Sequence, residues 1–246
     1  MPKEERVATG VPGLDEMLSG GFVPGSAILL RGAPGCGKTS LGLQFLVHGA
    51  HNHEPGLLIS FEEFPSSIHR DAESFGWSLV DLEQQGMLHL MFTSPQVLLD
   101  SLSSPNSSLS RLLLEGGIQR VVLDSVSHFT RLTDDSVKLR NYYNTIINGF
   151  KREGVTALLL GEDNRTPTPQ HEKGKLSFVV DAILLLRYVE VESAIQRAIV
   201  VLKMRGSDHA KEIRNLEIRQ DGVHVTGVFE ERENILSGIS HRAGAR

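Results

Sequence analysis

The run Gly32-Ala33-Pro34-Gly35-Cys36-Gly37-Lys38-Thr39 constrains what this chain can fold into more than any other stretch. It matches the pattern G-x-x-x-x-G-K-[ST], in which each fixed position has a physical task. The glycines let the backbone turn tightly, so that successive N–H groups point at the phosphates of a nucleotide. Lys38 brings a cation to the β- and γ-phosphates, and Thr39 offers a hydroxyl to Mg2+. The helix opening at Lys38-Thr39-Ser40 adds the positive end of its dipole. The alternative is a glycine-rich turn without a ligand. A phosphate loop needs an apolar strand before it and an amphipathic helix after it. Residues 27–30 are apolar, and Leu41, Phe45 and Leu46 follow at helical spacing. The octet, with Ser40, is therefore read as a site for ATP and Mg2+.

The surrounding pattern agrees. Short, nearly all-apolar runs at 27–30, 57–61, 88–92, 121–123 and 157–160 read as strands buried on both faces of a parallel sheet. Helical patterns at 38–49, 66–75, 108–115 and 137–152 separate them. This alternation predicts an α/β fold with a mostly parallel central sheet flanked by helices. After Phe178 four consecutive strands are expected, at 179–190, 197–204, 213–219 and 222–228, with Asp221-Gly222 as a hairpin turn. They would close the sheet with antiparallel strands. The Ser-rich run 101–110 and the stretch 163–175, with Pro167 and Pro169, read as loops. One domain over 1–238 and a flexible tail over 239–246 are expected.

Composition narrows the function classes. With 246 residues, 40% hydrophobic and 22% charged, the chain has enough apolar material for one large core. The net charge of -5 argues against binding nucleic acid mainly through phosphate contacts. One cysteine allows no internal disulfide, which suits a reducing compartment. No apolar run approaches the roughly 20 residues of a membrane span, and no apolar segment follows the charged N-terminus. A cytoplasmic protein, not embedded in a membrane, is expected.

Three acidic residues stand where a nucleotide site needs them. Asp124 ends the strand Val121-Val122-Leu123 and suits a second Mg2+ anchor. Glu62 and Glu63 follow the strand ending in Phe61. At the C-terminal edge of a parallel sheet they face the ligand crevice, where one carboxylate can orient or deprotonate an attacking water. A solvated acidic pair at a strand end is the other reading of these two.

Taken together, five segments make the chain resemble the single-domain KaiC-like ATPases of the RecA superfamily. They are Thr9-Gly10-Val11-Pro12-Gly13-Leu14-Asp15 with Gly20-Gly21 and Pro24-Gly25-Ser26, then the phosphate loop, then Phe61-Glu62-Glu63 with Ser74-Phe75-Gly76-Trp77 and Leu82-Glu83, then Leu123-Asp124-Ser125, and finally Lys203-Met204-Arg205-Gly206-Ser207-Asp208-His209. The resemblance runs from about Thr9 to Gly238. It implies a RecA-like P-loop NTPase that assembles into a homo-oligomeric ring, commonly a hexamer, with ATP at subunit interfaces. It implies that Glu62 and Glu63 are the catalytic carboxylates and that Lys203 and Arg205 reach the γ-phosphate bound by the neighbouring subunit. His209 matches the same motif as a further contact in trans. A charged face on an exposed strand is the plainer reading of Lys203 and Arg205. The clock-type members carry two fused copies, and their second copy has adjacent Ser and Thr phosphorylation sites before the strand that Asp181 opens. Here those positions are Ser177 and Phe178, so a single possible phosphosite remains and no two-site cycle is expected.

The function implied is Mg-dependent attack of water on the γ-phosphate, serving a regulatory or signalling role through an unidentified protein partner. A DNA-binding recombination or repair accessory ATPase is one alternative, and a serine autokinase using Ser177 another. The candidate DNA loops, 127–140 and 163–175, carry no strong cationic excess: Arg131, Lys138 and Arg140 stand against Asp134 and Asp135, and Arg165, Lys173 and Lys175 against Asp163 and Glu172. His48 and His51, one turn apart, suit either a metal pair or solvated residues at a helix C-terminus. Cys36 is either a reactive thiol at a helix N-terminus or a small residue that fits the loop. Phe75 and Trp77 suit either base stacking or packing.

Overall fold

The computed structural model describes residues 5–163 and 176–229, together with the backbone of 232–233 and 241–242. Nine strands form one sheet. They are β1 (Ala27–Gly32), β2 (Gly56–Ser60), β3 (Leu88–Phe92), β4 (Arg120–Asp124), β5 (Thr156–Glu162), β6 (Ala182–Val191), β7 (Ala194–Met204), β8 (Arg214–Arg219) and β9 (Gly222–Val228). Their order is β3-β2-β4-β5-β1-β6-β7-β8-β9. The pairings from β3 to β6 are parallel, and those from β6 to β9 are antiparallel. The expected mostly parallel sheet with antiparallel C-terminal strands is therefore the fold. A two-residue ladder joins Arg232–Glu233 to His241–Arg242.

The central strands are apolar on both faces because helices cover both. On one face α2 (Lys38–His51) packs Leu41, Phe45 and Leu46 against Ile28, Leu30, Val122 and Leu158. The short helix α1 (Leu14–Met17), α3 (Pro65–Glu73) and α4 (Leu79–Gln84) extend that layer. On the other face α5 (Pro95–Ser103), α6 (Ser108–Glu115) and α7 (Ser136–Arg152) cover Leu29, Ile59, Leu123 and Leu159. Phe75 and Trp77 stack on each other, ring centroids 4.8 Å apart, and Trp77 packs on the first core. That favours packing over base stacking for this pair.

Three local expectations are corrected. The run 101–110 is not one loop: residues 101–103 end α5 and 108–110 begin α6. The loop expected over 127–140 holds a 3-10 helix, Val126–Arg131, and the start of α7. The β8–β9 hairpin turns one residue earlier than expected, because Arg219 pairs with Gly222 and leaves Gln220-Asp221 as the loop. The stretch expected as a loop from Asp163 lies outside the described residues from 164 to 175, with Arg165, Glu172, Lys173 and Lys175 in it. Most of the tail expected over 239–246 also lies outside them.

Among the described residues, one charged side chain is fully buried in this core. Arg120, at the start of β4, is 1% exposed. Its Nε donates to Glu54 at 2.6 Å, and its Nη1 donates to the Ala8 and Phe45 carbonyls. Gly49 of α2 must be glycine for this, since a Cβ there would stand 2.4 Å from the Arg120 side chain. Removing one partner of a buried ion pair leaves the other charge desolvated and uncompensated. Glu54→Ala is therefore expected to cost about 3 kcal/mol of stability, read as a lower urea midpoint.

Candidate nucleotide and magnesium site

The phosphate loop leaves the C-terminal end of β1 and enters α2. Gly35 and Gly37 hold φ of 74° and 102°, the left-handed region that favours glycine. A Cβ on Gly32 would stand 2.5 Å from Cys36 Sγ, so the loop closes only around a glycine there. Cys36 itself is fully buried. Burial pushes its thiol pKa up, against the pull of Lys38, which favours the packing reading over the reactive thiol. Lys38 Nζ donates to the carbonyls of Gly32 and Ala33 at 2.9 and 3.0 Å. The ammonium thus rests on the loop that would cradle phosphates.

Thr39, the second residue of α2, donates its hydroxyl to Asp124 Oδ2 at 2.7 Å. Asp124 is the last residue of β4. Desolvation raises its pKa, and the Thr39 hydroxyl and Lys38 offset that in part. A hydroxyl and a carboxylate side by side, beside a phosphate loop, are the hard oxygen donors Mg2+ prefers. These residues fit the ion. His48 and His51 do not extend into a cluster: among the described residues no group of three or more His, Cys, Asp or Glu is placed to hold a metal.

Glu62 and Glu63 leave the neighbouring strand at the same edge. Ser60, at the end of β2, lies in register with Asp124. The Phe61 N–H donates to the Asp124 carbonyl, and the Glu63 N–H donates to Ser60 Oγ. Desolvation, then Asp124, Asp71 and Glu62, push the Glu63 carboxyl up. Glu62 instead meets two basic groups: His128 Nε2 at 3.2 Å and Arg131 Nη1 at 3.7 Å, both against Oε1. Neither His128 nor Arg131 was singled out at Glu62 by sequence spacing, because 66 and 69 residues separate them from it.

Lys203 and Arg205 lie elsewhere. Lys203 of β7 pairs with Ile183 of β6, which pairs with Leu29 of β1. The Arg205 N–H donates to the Asp181 carbonyl, and the Asp181 N–H to the carbonyl of Ala27, the first residue of β1. Arg205 is thus level with the start of β1, whereas the phosphate loop begins past its end at Gly32. Five residue steps at ~3.3 Å each put about 16 Å between those levels. The Lys203 ammonium donates to the carbonyls of Ser177 and Val180, and Arg205 donates to that of Phe178. Desolvation, then Arg205, lower the Lys203 pKa. Ser177 belongs to a short 3-10 helix, Leu176–Phe178, at this far edge. His209 follows in the next loop, where its N–H donates to Asp208 Oδ1.

Asp181 organises that edge, although in the sequence it only interrupts an apolar run. Its carboxylate accepts the Ala27 N–H at 2.9 Å, pairs with Lys151 at 2.6 Å, and lies 4.0 Å from Arg205. Near the phosphate loop, Tyr188 and Arg197 are a second addition. A Cβ on Gly35 would stand 2.9 Å from Tyr188 Oη, and Arg197 lies over the Tyr188 ring at 5.5 Å. No helix among the described residues is long and apolar enough to cross a membrane.

The chain is similar to known proteins over most of its length. The family described as "ATPase: KaiC" matches residues 7–229. Circadian clock oscillator protein KaiC 1 of Synechocystis is 34% identical over 240 residues, covering 96% of this chain and 45% of that protein. Its Nostoc counterpart is 35% identical over the same length and coverage. The chain thus spans about half the length of these curated relatives. Among solved structures, a KaiC-like protein from Pyrococcus horikoshii superposes with a TM-score of 0.79 at 27% identity, covering 91% of this chain and 99% of that one. With a phosphate loop backed by Thr39 and Asp124, and with the family pattern spanning nearly its whole length, this chain belongs to the KaiC ATPase family.

Proposed function

We propose that the chain binds Mg-ATP and hydrolyses it at interfaces between copies of itself. The observation that carries this reading is the separation of the two halves of the site. Lys38, Thr39, Asp124, Glu62 and Glu63 gather at one edge of the sheet, while Lys203 and Arg205 stand at the other. A cation at the far edge cannot reach the phosphates held by its own loop. It reaches those of a neighbour in a head-to-tail ring, the arrangement in which one face of each copy meets the opposite face of the next.

In this reading Lys38 and the backbone N–H groups of the loop hold the β- and γ-phosphates. Thr39 and Asp124 would hold Mg2+, directly or through water, and the ion would supply positive charge against the phosphate oxygens. Glu62 orients the attacking water and receives its proton, with Glu63 beside it. Lys203 and Arg205 arrive from the next subunit, and Arg205 stabilises the transition state as an in-trans cation. The ring, commonly a hexamer in the resembling ATPases, transmits its nucleotide state to a regulatory protein partner in the cytoplasm.

Turnover per chain is then expected to rise with protein concentration, in step with oligomer formation measured by sedimentation. A monomer that hydrolyses ATP at the plateau rate would overturn the reading.

One observation favours a second reading, serine autophosphorylation. Ser177 sits at the edge that carries Lys203 and Arg205, so a ring that brings Arg205 to a neighbour's γ-phosphate brings Ser177 near it. After incubation with ATP, mass spectrometry is expected to find at most one phosphate in the segment around Ser177. Ordered double phosphorylation there would contradict this.

A further inference from the structure

The two adjacent carboxylates are not equivalent. Desolvation, then the charges of Asp124, Asp71 and Glu62, push the Glu63 carboxyl up, against the pull of Arg70. Glu62 faces a histidine and an arginine on one short 3-10 helix, Val126–Arg131. That helix starts two residues after Asp124 and is fastened on several sides. Phe129 is fully buried and packs edge-on against Phe61 and Tyr143. Ser127 Oγ accepts the Glu162 N–H at the end of β5. The His128 N–H donates to the Ser125 carbonyl. The His128 ring stands edge-on to Phe61, centroids 5.7 Å apart, and its side chain is 12% exposed. Phe61 is the residue just before Glu62, so one aromatic ring braces both the histidine and the strand end that carries the carboxylate.

Arg131 is of another kind. It is 74% exposed and stands farther from the carboxylate, at 3.7 Å, a distance and setting in which an ion pair contributes little. His128 Nε2 is the nearer of the two groups, 3.2 Å from Oε1 of a Glu62 side chain that is itself 61% exposed. A carboxylate engaged through one oxygen keeps the other for a water. Catalytic contacts of this type tighten when substrate closes the site.

The geometry points to His128 as a positioning residue for water attack: its Nε2 holds Glu62 Oε1 so that Oε2 meets the water at the γ-phosphate. This rests on the reading of Glu62 as the carboxylate that orients that water. His128 touches no substrate atom in this scheme. Its effect passes through Glu62, and a small misplacement of a reacting group can cost about 100-fold in rate.

The test is steady-state ATP turnover and ATP affinity for the full chain and five variants. His128→Ala is expected to lower kcat by about 100-fold with KM and ATP affinity unchanged. His128→Gln, which offers an N–H near the position of Nε2, is expected to regain most of that loss. His128→Phe keeps the ring packing on Phe61 without a donor, and it should fold and be as slow as the Ala variant. Adding His128→Ala to Glu62→Gln should slow turnover no further than Glu62→Gln alone. A His128→Phe protein that folds and turns over at the wild-type rate, while Glu62→Gln is dead, overturns the role of His128 and leaves that of Glu62. A His128→Gln variant as slow as His128→Ala also overturns it. Wild-type turnover in Glu62→Gln sinks the reading of Glu62 instead, and the role of His128 with it.

Discussion

Replacing Glu62 and Glu63 together by Gln is expected to stop ATP hydrolysis while leaving ATP bound. The amides keep the volume of the carboxylates, and the Glu63 N–H still donates to Ser60 Oγ, because that bond uses the main chain. The groups proposed to hold the phosphates and Mg2+ lie on other elements: Lys38 and Thr39 on α2 and Asp124 on β4. Binding is therefore spared, and it gains from removing two negative charges near the triphosphate. What disappears is the acceptor for the water's proton. General-base contributions are typically 10²–10⁴-fold, so turnover should fall by about that factor. Phosphate release and equilibrium binding of a fluorescent ATP analogue measure the two halves of the claim. Unchanged turnover in the double variant refutes the assignment. The same variant, trapped with ATP, is the bait of choice for capturing the protein partner and the assembled ring.

Arg205→Ala is expected to be nearly inactive alone and to recover when mixed with the Glu62/Glu63 double variant. A cation supplied in trans to a γ-phosphate can be worth about 10³–10⁵ in rate. Each variant lacks one half of the site and keeps the other. In mixed rings an interface becomes competent when the Arg205→Ala copy supplies the carboxylates and the other copy supplies the arginine. Random assembly from equal amounts makes about a quarter of the interfaces competent. Turnover near that fraction of wild type is the expected readout. If the mixture stays as inactive as its parts, Arg205 does not act across an interface. Arg205 also lies 4.0 Å from Asp181 and donates to the Phe178 carbonyl. Thermal melting of the single variant therefore accompanies the assay, to separate lost packing at that edge from lost chemistry.

The local elements were legible where a periodic pattern met a boundary signal. The phosphate loop, α2, α6 and all nine strands of the main sheet stand at or within a few residues of their expected places. α5 is masked in the sequence because its last residues merge with the Ser-rich run 101–110. Its start carries a clear signal: Ser94 caps the Val97 N–H, Pro95 sits in the first turn, and Leu98, Leu99 and Leu102 lie on one buried side. The turn Glu192-Ser193 between β6 and β7 was also invisible. Both residues take positive φ, a conformation that glycine or asparagine announces and these two do not.

By itself, the sequence determined the strand–loop–helix unit around Gly32–Thr39 and its reading as a phosphate loop, because that pattern depends on residues adjacent along the backbone. It also carried enough pattern to resemble its family and so to name Lys203 and Arg205. Which edge of the sheet those two occupy was decided only by the tertiary structure. Edge and level follow from strand order and register, which join residues more than a hundred positions apart. The same holds for Asp181 bracing the far edge and for His128 meeting Glu62. These are contacts between separate elements, made when helices and strands bury their apolar faces together, and no local spacing encodes them.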